Sequence, residues 1–216
     1  MSLLKWSRVS VAICGLLVGV GLAQAKDGDP GRIRGQITTV KDNMVEIQTK
    51  SGETKRIQFN DQVTVLKLSP ASFAEVDFGV YVGAVSEKIG DDVYSPIYRD
   101  SLSWLHRGFE LRIIDDNLRG IAFGVQKWDA TEESIMTHGW VDDLEIRVLS
   151  IKYGPTEAEE TDVEFARDLK ILRMGLGDRS LIKPNANIFS GVKPGANGDY
   201  IAEFLMVGVD GVVPGL

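Results

Sequence analysis

The side chains able to do chemistry are few and scattered. Two histidines, His106 and His138, stand 32 positions apart. A zinc or copper site needs three or four converging Cys, His or carboxylate ligands, and no spacing here supplies them. The single cysteine, Cys14, lies in the apolar leader, and there is no Gly-x-Ser-x-Gly elbow. Nucleophilic catalysis therefore has no recognisable set. Carboxylates come in pairs at Asp91-Asp92, Asp115-Asp116 and Asp142-Asp143. Neighbours in a strand point to opposite faces, so such pairs are not automatically an acid–base couple, and none follows the loop pattern of a calcium site. Gly120-Ile121-Ala122-Phe123-Gly124 lacks the lysine of a phosphate-binding loop.

Aromatic residues offer more. On a small barrel Tyr81, Phe109, Tyr153 and Phe189 could make a stacking platform, although core packing is their commoner use. Trp104, Trp128 and Trp140 fall where an insertion, a connector and the entrance to a second module are expected, which suits anchors between domains.

The elements that must position these residues read as strands. Val45, Ile47 and Thr49 alternate with Glu46 and Gln48, and Ile57 and Phe59 with Arg56 and Gln58, as in sheets with one buried face. Lys50-Ser51-Gly52-Glu53 is a hairpin signal. Ser69-Pro70 predicts a short helical turn over 71–76, with Ser69 as its cap. Gly79 and Asn185 hold matching left-handed corners.

The frame occurs twice. Val65-Leu66-Lys67-Leu68, Ser72-Phe73, Val80-Tyr81-Val82 and Gly90-Asp91-Asp92 return as Ile171-Leu172-Arg173-Met174, Ser180-Leu181, Asn187-Ile188-Phe189 and Asn197-Gly198-Asp199, some 106 to 108 positions later. Order and spacing together indicate a duplication. The expected architecture is all-β, two tandem small OB-like β-barrels with a short helical turn in each. The first occupies 26–114 with an inserted loop over 93–108, a connector spans 115–136, and the second occupies 137–216.

Residues 1–25 carry Lys5 and Arg8, an apolar run from Val9 to Leu22, and Ala23-Gln24-Ala25, the pattern of a cleavable signal peptide. The apolar run is short for a membrane span, so no transmembrane segment is expected after cleavage. The net charge of −7 disfavours general nucleic-acid binding.

The succession from the Gly52 hairpin through Ser72-Phe73 to Gly79-Val80-Tyr81-Val82, with Phe109-Glu110-Leu111-Arg112-Ile113-Ile114, Trp128-Asp129 and the terminal Val207-Gly208-Val209-Asp210-Gly211-Val212-Val213-Pro214, resembles a family of bacterial exported β proteins grouped as a domain of unknown function. That resemblance implies small OB-type barrels and an exported location, and no chemistry. The combined expectation is a periplasmic or secreted, non-enzymatic binding or interaction module without cofactor. Its partner would be a protein or cell-envelope ligand. Carboxylate-ligated binding of a hard cation, and an enzyme of unfamiliar type, are the alternatives.

Overall fold

The computed structural model describes residues 31–90, 94–95, 100–101, 105–166 and 169–215. The expected signal peptide, Trp104, Asp91-Asp92 and other parts of the inserted loop lie outside the described residues. The chain is all-β. β1 (Arg32–Lys41), β2 (Met44–Gln48) and β3 (Thr54–Gln58) form a meander, followed by β4 (Thr64–Pro70) and β5 (Tyr81–Lys88). β6 (Tyr94–Ser95) and β7 (Asp100–Ser101) pair with each other, and β8 (Leu105–Ile114) ends the first half. Then come β9 (Gly124–Lys127), β10 (Ile135–Leu144), β11 (Val148–Lys152), β12 (Glu160–Glu164), β13 (Lys170–Leu176), β14 (Asn187–Pro194), β15 (Tyr200–Ala202) and β16 (Phe204–Gly208). Among the described residues no helix is long and apolar enough to cross a membrane.

Local chemistry explains the boundaries. Val45, Ile47 and Ile57 are buried on one face of β2 and β3, as their alternation predicts. The first helical turn differs from expectation: Ser69 and Pro70 still belong to β4, and the 3-10 turn covers Phe73–Glu75. Ser72 is its cap, because Ser72 and Glu75 form a reciprocal capping box. Asp178 caps the matching turn Arg179–Leu181. Gly79 and Asn185 adopt φ +74° and +69°, the left-handed corners that precede β5 and β14.

Pairing closes two rings of five strands. The first runs β1-β2-β3-β15-β14 and back to β1; its β3–β15 contact is parallel. The second runs β10-β11-β12-β8-β5 and back to β10; its β12–β8 contact is parallel. β16, β4 and β13 join the rings into one sheet, and β9 lies outside on β10. Each ring thus takes three strands from one half of the chain and two from the other. This departs from consecutive modules over 26–114 and 137–216. The physical cause is the antiparallel pairing of β4 with β13, which carries each half across to the opposite ring after its third strand.

The same bending device closes both rings. β1 leaves β14 for β2 near Gln36, and β10 leaves β5 for β11 near Trp140. Each strand has a bulge just beyond, between Ile37 and Thr39 and between Val141 and Asp143. Just before, Gly35 and Gly139 press against the backbone carbonyls of Gln48 and Lys152, where a Cβ has no room. Bulge and glycine together let one strand curl between two neighbours.

Among the described residues three large apolar clusters and a small fourth, of Ile89, Leu105 and Val148, fill the molecule. Ile37, Ile47, Ile57 and Leu205 belong to the core of the first ring, and Val82, Leu111, Ile151 and Val163 to that of the second. A third cluster, with Tyr81, Trp128, Met136 and Phe189, lies at the junction between them. β8 is buried along most of its length because one face looks into the second ring and the other into the junction.

Candidate functional site

Glu110 and Arg112 alternate with Leu111 and Ile113, so they leave the second ring's core on its junction face. Both are almost fully buried. Glu110 Oε1 accepts from Arg112 Nε at 2.6 Å and forms an ion pair with Nη2 at 2.5 Å, and Oε2 lies 3.0 Å from Lys170 Nζ. Gly83 pairs with both Arg112 and His138 across β5. A Cβ on Gly83 would come within 2.8 Å of the His138 ring, so glycine makes the space that the imidazole fills. Burial first, and the Arg112 charge second, push the His138 pKa down to about 4. His138 is therefore a neutral imidazole at pH 7.

Trp128 caps this cluster. Its indole meets the guanidinium of Arg112 at 5.4 Å from the second ring, and those of Arg32 at 4.5 Å and Arg34 at 5.9 Å from β1 of the first. Arg34 also lies 4.8 Å from the Phe189 ring. Asp129 takes Arg34 in a two-pronged pair, both bonds 2.6 Å, with Arg32 at 3.6 Å. Burial raises the Asp129 pKa, but Arg34 and Arg32 outweigh it and hold the carboxyl below its ordinary value. On β16 the places equivalent to Glu110 and Arg112, judged by pairing with β4, are Phe204 and Met206. The two repeats thus differ in chemistry at this charged cluster.

The outer face of the second ring has a different character. Trp140 is exposed there, 5.1 Å from the equally exposed Phe123 and edge-on to Tyr81 at 5.1 Å. Trp140, Lys152 and Glu160 are successive register partners across β10, β11 and β12. Asp142 lies 3.6 Å from Lys152, and Ser150 donates to Asp162. Partial burial, then Asp162 and Asp142, raise the Glu160 pKa, the mark of carboxylates crowded beside one another. Residues 71–166, which supply the second ring, hold 20 Asp and Glu against 8 Lys and Arg. On this face the apolar Trp140–Phe123 pair stands beside the carboxylates Asp142, Glu160 and Asp162.

Two further concavities are present. A polar groove of about 530 Å³ is lined by Glu75, Asp115, Asp116, Arg119 and Arg173. Arg173 donates to Glu75 at 2.5 Å and to Asp115 at 2.9 Å, and Arg119 to Asp116 at 2.9 Å. Each of its three carboxylates meets one of its two guanidiniums, which suits a structural ion network. A hollow of about 330 Å³ lies between Phe73, Phe165, Leu169 and Ile146.

The aromatic residues singled out in the sequence do not share one exposed face. Tyr81 and Phe189 are buried in the junction, and Phe109 packs against it. Tyr81 donates through its hydroxyl to the Ile121 carbonyl, and burial pushes its pKa up to about 12. Tyr153 is half-buried just past β11, its amide donating to the Glu159 carbonyl. Trp128 stands between the rings, whereas Trp140 lies on the outer face of the second. His106 is half-buried beside Ser86, with Nδ1 3.4 Å from Ser86 Oγ. Burial, then Lys88, lower its pKa against a raising effect of Asp162. Among the described residues no three His, Cys, Asp or Glu side chains converge as a metal site. Sequence reasoning missed Arg32, Arg34, Glu110, Arg112 and Asp129, because charged residues alternating with apolar ones read as a solvated face. It also missed Phe123, whose exposure beside Trp140 follows from a turn and not from periodicity. No family model matches the chain, and no curated protein or solved structure is similar to it, so no residue role is carried over from elsewhere.

Proposed function

We propose that the protein is an exported, non-enzymatic interaction module of the periplasm, built of two OB-type barrels, that engages a protein or cell-envelope ligand through the outer face around Trp140 and Phe123. A closed five-stranded antiparallel ring with one parallel contact fits the OB architecture, whose strand faces and loops serve as binding surfaces. The Lys5–Ala25 leader supports export. The observation that carries the reading is the Phe123–Trp140 pair: two large aromatic side chains, 47% and 38% exposed, in contact with each other on an acidic sheet face. At the junction, by contrast, the charges pair with one another, Arg34 with Asp129 and Arg112 with Glu110, although Trp128 Nε1, Thr137 Oγ1 and His138 Nδ1 are buried without a hydrogen-bond partner among the described residues. Hydrogen exchange of the mature protein, alone and with cell-envelope extract, tests it. Protection confined to Ile121–Val125 and Trp140–Asp143, and abolished in the Phe123→Ser, Trp140→Ala double variant, is expected. An unchanged exchange pattern removes the reading.

A further inference from the structure

The pairing of β4 with β13 is symmetric. Leu66 opposes Leu176, Leu68 opposes Met174 and Pro70 opposes Leu172. Adding 106 to the first member of a pair and subtracting it from the second yields another pair of the same register. The Leu68–Met174 pair maps onto itself, so it marks a pseudo-two-fold axis. Gly35 and Gly139, the two bulges, the two capped 3-10 turns, and the parallel contacts β3–β15 and β12–β8 all recur about it.

Neither half closes a ring alone. The first half supplies β1–β3 to one ring and β5 and β8 to the other; the second half supplies β10–β12 and then β14 and β15 in the complementary manner. Taken singly, each half would leave open strand edges at every place where the other half now pairs. Such edges are templates for another chain. The complement of either half is present in every copy of this protein.

The two halves are joined through the turn from Arg119 to Gly124, which holds three left-handed residues in six: Gly120 at φ +85°, Ala122 at +52° and Gly124 at +105°. For Ala122 that conformation is strained, because its Cβ crowds the following carbonyl oxygen. A strained hinge between elements that pair across a symmetry axis is the setting in which protomers exchange identical parts.

We propose that the chain is an internally exchanged pair whose partner is a second copy of itself: when the 119–124 turn opens, halves swap between two chains to give a closed dimer with four rings. A short tether sets an effective concentration on the order of millimolar, so the single-chain form dominates in dilute solution. Shortening the turn reverses that preference. This inference rests on strand pairing; Phe123 of the Trp140 face lies within the hinge, so molar mass and strand exchange, not binding, are the readouts that test it.

Two variants of the full mature chain test it. Deletion of Gly120-Ile121-Ala122 is expected to double the molar mass in light scattering with an unchanged far-ultraviolet spectrum; a folded single-chain product overturns the proposal. A protease site placed between Gly120 and Ile121, cut after folding, provides the second arm and does not depend on the deletion variant folding. The nicked protein is expected to keep its one-chain mass. Isotope-labelled and unlabelled nicked samples, unfolded together and refolded, should give mixed-label pairs by native mass spectrometry. Separation into two folded, independent halves sinks the idea.

Discussion

At the scale of single residues, the junction is where ionisation and stability meet. His138 has its pKa depressed in the folded protein to about 4, against an ordinary 6.5. The unfolded chain therefore binds a proton at higher pH than the folded one does. Its neutral form is fully compatible with the fold above pH 6.5, and stability is lost as pH falls from 6.5 towards 4. The loss is about 3 kcal/mol when complete. Urea unfolding at pH 7.5 and pH 4.5 should show it, and His138→Gln should flatten that part of the profile; a profile unchanged by the substitution removes His138 as its origin. Trp128 presents a packing case. Replacing it by Ala empties the space between Arg32, Arg112 and Phe189 and should cost about 3–5 kcal/mol in the same assay. A cost under about 1 kcal/mol would show that the indole is not what ties β1 to β8.

At the scale of elements, ring closure depends on a strand that serves two neighbours in turn. Gly35 and Gly139 sit at that transfer in β1 and β10, each against a backbone carbonyl that cannot step aside. Gly35→Ala and Gly139→Ala should each cost about 1–3 kcal/mol, the scale of overpacking in a filled site. Near-equal losses in thermal melts are expected because the device is the same. A neutral Gly139→Ala would mean that β10 can bend by other means. The strands and their turns were legible in the sequence, since alternation and turn chemistry are local: β2, β3 and the corners at Gly79 and Asn185 follow from them. The cap at Ser72 was misplaced by three residues because Ser69-Pro70 and Ser72-x-x-Glu75 are competing start signals, and β4 needs Ser69 and Pro70 to pair with Arg173 and Leu172.

For the whole molecule, interleaved halves imply one cooperative unit. Each ring contains strands of both halves, so neither can open without exposing the other's edges. Thermal unfolding followed by near- and far-ultraviolet dichroism should give coincident transitions, with calorimetric and van't Hoff enthalpies equal. Gly35→Ala in one ring and Gly139→Ala in the other should lower the same single midpoint; two separable transitions would contradict the shared construction. The distribution of charge is also a property of this scale. Asp142, Glu160 and Asp162 come together beside Trp140 only through folding, from β10 and β12.

The strand content and the turn corners were determined by the sequence itself, because alternation and turn residues each act within a few positions of the chain. Which strands close which ring was decided by tertiary structure. β3 and β15 are adjacent though more than 140 residues separate them, and β8 serves both β12 and β13. A period-two pattern specifies which face of a strand is buried, not which edge it meets, and a charged residue on the second face reads the same whether that face is covered by water or by another barrel. Burial of Glu110, Arg112 and His138 is thus a consequence of the two strand rings meeting around Trp128.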